Sequence, residues 1–422
     1  MNVININGGT PLYGEMSVGG SKNAILPILA ACILTDEKVT VTNVPKITDV
    51  DDMLYIMRDL GVKATSSDHS LTIDCSNICN YRISNQHVGK IRSSVILLGA
   101  VIARFSCAIM AHPGGCDIGA RPIDMHLDAF RQMGVDICYE NDCWLCNTDG
   151  LKGANIALPF PSVGATENII LAAAMANGET LITNAAREPE IVALQDIINL
   201  MGGDVQGAGT NTIRIVGKKH YHGCEYTLIP DRIVAGTYML AVCATGGDVV
   251  IKNAVPSHNS LLIDCIRRMG ADCNILSDNS VRVMKSKRLC GIDYVNTLPF
   301  PGFPTDLQPQ LMSVLCLANG RSVIRESIYE SRFKAAQSLC SLGADIKVTS
   351  NDIDGHYAVI NGINSLKGAE IFGTDLRCNA ALVIAGLAAH GNTKINNAHF
   401  ISRGYEDIVG AFSNVGANIS EC

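Results

Sequence analysis

The chain has 422 residues, of which 47% are hydrophobic and 17% charged, with a formal net charge of -7. That length suits about two or three domains, and the composition excludes a disordered chain. The acidic balance excludes a broad basic field for nucleic acid, so any anion-binding arginines must be concentrated locally.

The 17 cysteines are an odd number without regular spacing. In a chain this long they argue for reduced thiols in the cytosol, not for a disulfide scaffold. The first residues, MNVININGGTPLYGEM, alternate polar and apolar like a strand and lack the basic and apolar segments of a signal peptide. No uncharged apolar run of eighteen residues occurs, so no membrane span is expected. A soluble, cytoplasmic protein is expected, with no nucleic-acid or membrane partner.

One pattern then recurs along the chain. A small-residue apolar helix is followed by a β-branched strand, a loop, and an amphipathic helix closed by glycine. The closing glycines are Gly61, Gly134, Gly202, Gly270, Gly343 and Gly416, spaced by 73, 68, 68, 73 and 73 residues. Glycine there suits a left-handed helix C-cap. The strands read KVTVTNV, SCAIMAH, ETLITNA, DVVIKNA, RSVIRES and NTKINNA. Six copies of about 70 residues are too long for a solenoid. Each is therefore expected to be a small α/β unit, divided three and three, with a boundary near Pro230. The apolar helices, such as ILPILAACIL, carry little polar surface and should be buried on most sides. The N-terminal strand precedes the first copy and is free to complete the last domain. A ligand site between two such globules is the default expectation.

The loops after the repeated strands differ from copy to copy, which is where chemistry is grafted. PGGCDIGARP (113–122) packs Gly114, Gly115 and Gly119 around Cys116, with Arg121 close behind. Glycine permits a mobile or sharply bent loop, and a cation near a thiol raises its reactivity. The segment reads either as a lid carrying a reactive cysteine or as a surface hairpin with a chance one. Lys22, Arg92, Arg121, Arg187, Arg232, Arg332, Arg377 and Arg403 recur near the loop ends. Guanidinium forks match phosphate and carboxylate, whereas solvated salt bridges are the plain alternative.

Helix starts repeat the theme. GGSKNA places Lys22 and Asn23 before an apolar helix, and PFPSVGATEN places Ser162 and Gly164 before another. Such starts attract anions through free N–H groups. Ordinary capping is equally compatible. FPTDLQPQ offers Asp306 as a helix cap or as a general base, two roles that spacing does not separate. Cys143 and Cys146 have no second pair at zinc spacing, so no metal site is expected.

Taken together, GGSKNAILPIL, IRSS, PGGCDIGARPIDMH, SVGATEN, NAAREPEIV, FPTDLQPQ, GTDLR and SRGYE resemble the UDP-N-acetylglucosamine enolpyruvyl transferases along essentially the whole chain. The resemblance implies an inside-out α/β barrel in two domains of three units each, residues 22–229 and residues 1–21 with 230–422, with the active site in the cleft between them. It also implies transfer of the enolpyruvyl group of phosphoenolpyruvate to the 3-hydroxyl of UDP-N-acetylglucosamine through a tetrahedral intermediate. This is the first committed step of peptidoglycan synthesis, and no cofactor is expected.

By the same resemblance Cys116 is the proton donor, and Asp306 takes the hydroxyl proton. Lys22, Asn23, Arg121, Arg377 and Arg403 fall at phosphoenolpyruvate-binding positions, Lys22 and Arg403 among the catalytic ones. Asn23, Arg92, Arg121, Pro122, Ile123, Asp124, Met125, Phe160, Pro161, Ser162, Val163, Asp306 and Ile328 fall around the nucleotide sugar. Val234, Ser331 and His112 depart from commoner members without removing a catalytic group. An enolpyruvylshikimate-phosphate synthase-like transferase and a non-catalytic UDP-sugar-binding paralogue are the competing expectations.

Overall fold

A computed structural model describes residues 2–83, 92–111, 119, 122–351 and 355–422. Among them lie six four-stranded sheets. Each begins with a parallel pair and continues through two antiparallel pairings. In one sheet Glu225–Thr227 runs parallel to Val39–Thr42, which pairs antiparallel with Ser70–Asp74, and that strand with Lys63–Ser67. In another, Leu12–Ser17 runs parallel to Gly247–Lys252, followed by Val281–Lys285 and Asp272–Ile275.

The second strand of each sheet is one of the β-branched segments: Val39–Thr42, Cys107–Ala111, Glu179–Thr183, Gly247–Lys252, Arg321–Glu326 or Gly391–Asn396. Alternate side chains point to opposite faces, so each strand buries one set and exposes the other. The chain leaves four of these strands through a left-handed asparagine: Asn43, Asn184, Asn253 and Asn397, with φ of 59°, 56°, 55° and 56°. Asparagine tolerates that region because its short side chain bonds locally. The six closing glycines, Gly61, Gly134, Gly202, Gly270, Gly343 and Gly416, all have positive φ, between 86° and 101°.

The chain divides into two compact units. One is drawn entirely from Gly20–Ile229; Met1–Gly19 joins Pro230–Cys422 in the other. The division falls two residues earlier than residue 22. Gly20 already packs so closely that an added Cβ would meet the Asn43 carbonyl oxygen at 1.8 Å, and the Ser21 N–H bonds Ile229 O at 2.8 Å.

Each unit has its own continuous hydrophobic core. In the first, helices Lys22–Ala31, Leu97–Phe105 and Val163–Ala174 pack on one another. In the second, Arg232–Thr245, Gln308–Leu315 and Leu376–Ala388 do the same. These helices are apolar nearly all round, which is stable only in an interior. The outer helices are amphipathic: Ser260–Met269 buries Leu262, Ile263, Cys265, Ile266 and Met269 and turns its charges outward. No helix among the described residues is long and apolar enough to cross a membrane.

Candidate active site

Charged groups gather at the first turns of the central helices. A helix start carries partial positive charge, so a basic residue there is misplaced unless an anion is to be held. Three central helices nevertheless carry one at their first or second position. Lys22 opens its helix behind the Ser21 cap, whose Oγ accepts from Ala24 N. Arg232 opens another behind Asp231, which accepts from Ile233 N at 2.8 Å and Val234 N at 3.0 Å. Arg377 is second in its helix behind Asp375, which accepts from Arg377 N at 2.9 Å and Cys378 N at 3.1 Å. Two of the three caps are carboxylates, which offset the charge they precede.

In the Gly20–Ile229 unit, Lys22 is buried and its Nζ lies 2.7 Å from the Asp49 carboxylate, itself only 2% exposed. Asp49 sits in the first turn of Thr48–Asp59, on the loop that follows the first repeated strand. It was not among the expected site residues. Asn23 follows Lys22 and is partly exposed. Arg92 starts the short 3-10 segment Arg92–Ile96. Ser162 caps Val163–Ala174 by accepting from Ala165 N at 3.3 Å, with Phe160 39% exposed just ahead of it and Pro161 between them. Ile123 is buried at the entry to Asp124–Gln132, Pro122 and Asp124 are exposed, and Met125 packs on the core. Cys116, Arg121 and the divergent His112 lie outside the described residues.

His126, two residues past Asp124, faces the start of the Ser162 helix. A Cβ added at Gly164 would lie 3.3 Å from its Cε1. The Asn168 amide oxygen accepts from Gly99 N at 2.8 Å, so its nitrogen donates to Val95 O and to His126 Nδ1. The proton of the neutral ring is thereby assigned to Nε2. Burial, reinforced by Arg92, pushes the imidazole down to about 4. An unfolded histidine titrates near 6.5. Between those values the unfolded chain holds the extra proton, so stability falls as pH drops through the window. The contribution is up to about 3 kcal/mol. The melting temperature should therefore decline from pH 6.5 to 4 more steeply in the wild type than in His126→Gln, measured by calorimetry across that range. Nearby, burial and then Glu190 and Glu188 push the Glu167 carboxyl well above its ordinary range.

In the other unit, Asp306 lies in the 3-10 turn Thr305–Leu307, whose N-cap position is Pro304. Arg332 donates Nη2 to one carboxylate oxygen and Arg377 donates Nη2 to the other at 2.7 Å. Both arginines are 5% exposed. Burial by itself would raise the Asp306 carboxyl, yet Arg377 and Arg332, with Arg232 farther off, hold it well below the usual carboxylate range.

A second carboxylate organises this turn. Glu326 is 1% exposed; its Oε1 accepts from Thr297 Oγ1 at 2.7 Å and from the N–H groups of Ile328 at 2.9 Å and Tyr329 at 3.2 Å. Its Oε2 accepts from Thr305 Oγ1 at 3.0 Å, next to Asp306. Glu326 thus fixes Ile328 and Asp306 together. Nothing in RSVIRES distinguished this glutamate from an exposed strand residue except its place at the strand's end. Arg403 ends the 3-10 segment Ala398–Arg403 and is partly exposed. Val234 packs against the core, and Ser331 precedes Arg332 without a side-chain cap bond. Among the described residues no cluster of histidine, cysteine or carboxylate is arranged to hold a metal ion.

The mixed α/β fold is that of enolpyruvyl transferases. Residues 6–412 match the family model described as EPSP synthase (3-phosphoshikimate 1-carboxyvinyltransferase). The enolpyruvyl transferase NikO from Streptomyces tendae superposes with a TM-score of 0.88 at 26% identity, over 99% of this chain and 98% of that one. EPSP synthase from Acinetobacter baumannii, at 21% identity and a TM-score of 0.76 over the whole of both chains, shares the fold.

Among curated relatives, UDP-N-acetylglucosamine 1-carboxyvinyltransferase 2 of Caldanaerobacter subterraneus subsp. tengcongensis is 46% identical over 99% of both chains. The Thermotoga maritima UDP-N-acetylglucosamine 1-carboxyvinyltransferase is 44% identical over 99% of this chain and 98% of the relative. The chain belongs to the UDP-N-acetylglucosamine 1-carboxyvinyltransferase family of enolpyruvyl transferases.

Proposed function

We propose that the protein transfers the enolpyruvyl group of phosphoenolpyruvate to the 3-hydroxyl of UDP-N-acetylglucosamine and releases phosphate, the first committed step of peptidoglycan synthesis. The observation that carries this is the Asp306 carboxylate, held ionised between Arg332 and Arg377 in a chain whose full-length relatives bear that activity's name. The proposed setting is the cytoplasm, a reducing compartment that suits 17 irregularly spaced cysteines. We read the six alike sheets as six copies of one unit, three to each half of an inside-out α/β barrel pair.

The chemistry needs a proton for the methylene carbon, an acceptor for the hydroxyl proton, and cations to offset a phosphate and a carboxylate. Cys116 is the proposed proton donor and Asp306 the proposed acceptor. Lys22, Arg121, Arg377 and Arg403, with Asn23, are proposed to hold phosphoenolpyruvate. Ser162 and Val163, at a helix start beside the His126 Nε2–H, suit the diphosphate of the nucleotide sugar. Asn23, Arg92, Arg121, residues 122–125, Phe160, Pro161, Asp306 and Ile328 complete that side.

A carboxylate clamped by two guanidiniums is a weak base. An arriving anion that draws Arg377 or Arg332 away removes the clamp, and the basicity of Asp306 rises when the hydroxyl must be deprotonated. Lid closure over the reacting centre would exclude water from an oxocarbenium-like carbon.

Phosphate release with phosphoenolpyruvate should require UDP-N-acetylglucosamine and be absent with shikimate 3-phosphate. Release with shikimate 3-phosphate instead would favour the synthase-like alternative. Nucleotide-sugar binding without release would favour a non-catalytic paralogue.

A further inference from the structure

Behind the arginines of the Pro230–Cys422 unit lies a buried pair of hydroxyls with no place in the chemistry above. Tyr405 is 2% exposed and Thr237 is wholly buried; Tyr405 Oη and Thr237 Oγ1 are 2.7 Å apart. The Thr237 hydroxyl also donates to Ile233 O at 2.8 Å. A hydroxyl has one proton to give. Since Thr237 gives its proton to Ile233, the Tyr405 phenol is the donor between them. Burial raises the phenol above its ordinary value and keeps that proton in place. Gln310 Nε2 adds a longer contact to Thr237 Oγ1 at 3.4 Å.

Both ends of this bond lead to charged groups of the site. Ile233 and Thr237 belong to the opening turns of the helix that begins with Arg232. On the other side, the N–H groups of Gly404 and Tyr405 both donate to Ile401 O at 3.0 Å, closing the turn that carries Arg403. Ile401 is fully buried, so the turn is anchored before and after Arg403 while that side chain stays partly exposed. The bond from Tyr405 to Thr237 ties the turn to the helix start, through a phenol hydroxyl that can be removed while the ring stays.

We propose that Tyr405, acting through Thr237, is a positioning residue. Its hydroxyl sets the place of the Arg403 turn against the Arg232 helix, and so sets how well the unit holds phosphoenolpyruvate. This rests on the transferase activity proposed above. A purely structural tyrosine would affect stability alone. A positioning one affects the donor substrate and spares the acceptor.

The test is made on the full chain, by phosphate release and by calorimetric titration of phosphoenolpyruvate in the presence of UDP-N-acetylglucosamine. Tyr405→Phe keeps the ring and removes the donor. It should raise the KM and the Kd for phosphoenolpyruvate about tenfold, the worth of a lost buried hydrogen bond, and leave the KM for UDP-N-acetylglucosamine unchanged. Thr237→Val should match it, Thr237→Ser should behave like the wild type, and the double variant should be no worse than either single one.

Unchanged donor KM and Kd in Tyr405→Phe, or an equal shift for both substrates, would overturn the proposal. If Tyr405→Phe does not fold, equal donor Kd values for Thr237→Val and Thr237→Ser would overturn it. A wild type that binds phosphoenolpyruvate but releases no phosphate refutes the activity alone, since the Kd series still reads the positioning role. A wild type that binds none refutes both.

Discussion

Asp306→Asn should cost both turnover and stability. Asparagine keeps the shape and removes the charge that two buried guanidiniums share. Breaking a buried ion pair from one side typically costs about 3–5 kcal/mol, so melting of the Pro230–Cys422 unit should come markedly earlier. Loss of a positioned proton acceptor should lower kcat by about 100- to 10,000-fold, with UDP-N-acetylglucosamine affinity much less affected. The pH dependence separates the charge from the shape. The folded carboxyl sits below its unfolded value, so its stabilisation is complete above about pH 4 and is given up as the pH falls further. Wild type and variant should therefore converge in stability in strong acid. Near-normal turnover with early melting would reduce Asp306 to a structural role.

Cys116→Ser should lose most activity, because a hydroxyl is far too weak an acid for the proposed donation, whereas Cys116→Asp should retain it. A small epoxide phosphonate resembles the phosphoenolpyruvate anion and should alkylate Cys116, faster with UDP-N-acetylglucosamine present. The described thiols define the background for that labelling. Burial pushes Cys75 and Cys146 up to about 12, and raises Cys32, Cys243 and Cys316 as well, so these stay protonated and inert. The competitors to watch are the exposed Cys79, Cys138, Cys290, Cys340 and Cys422. Peptide mapping by mass spectrometry after treatment decides it. Inactivation with the label on one of those five, or a fully active Cys116→Ser, would remove Cys116 from the mechanism.

What was legible in the sequence was periodic. The β-branched strands and the closing glycines repeat, and each announces one backbone conformation, so residues such as Val39–Thr42 and Gly270 take the structures their types favour. The left-handed asparagines recur at four of the six strand exits, in TN, KN and NN pairs. They went unread because asparagine serves many turns. In the candidate site, the helix-start position of Lys22 was legible, whereas Arg377 was read only as a loop-end cation. The site was not legible where a partner comes from far along the chain. Asp49 meets Lys22, Arg332 meets Asp306, and Glu326 gathers Thr297, Thr305 and Ile328 across separate elements. Spacing cannot announce such pairs, because they are chosen by the packing of three helices and their sheets. For Asp306, both sequence-level alternatives missed the two-arginine clamp.

The strand Val3–Gly8 lies between Gly391–Asn396 and Asn418–Glu421, antiparallel to both. On the ribosome this strand therefore emerges long before either of its partners. At about 5–20 residues per second, the strand waits roughly 20–80 s for residues 391–396 to be made. Leu12–Ser17 waits for Gly247–Lys252 in the same way. Meanwhile Gly20–Ile229, whose three sheets among the described residues are built from its own strands alone, is free to fold. The order of synthesis thus leaves an unpaired, β-prone leader attached to a finished half, a nascent-chain state in which chaperone capture or mispairing with a neighbouring copy competes with completion of the second half.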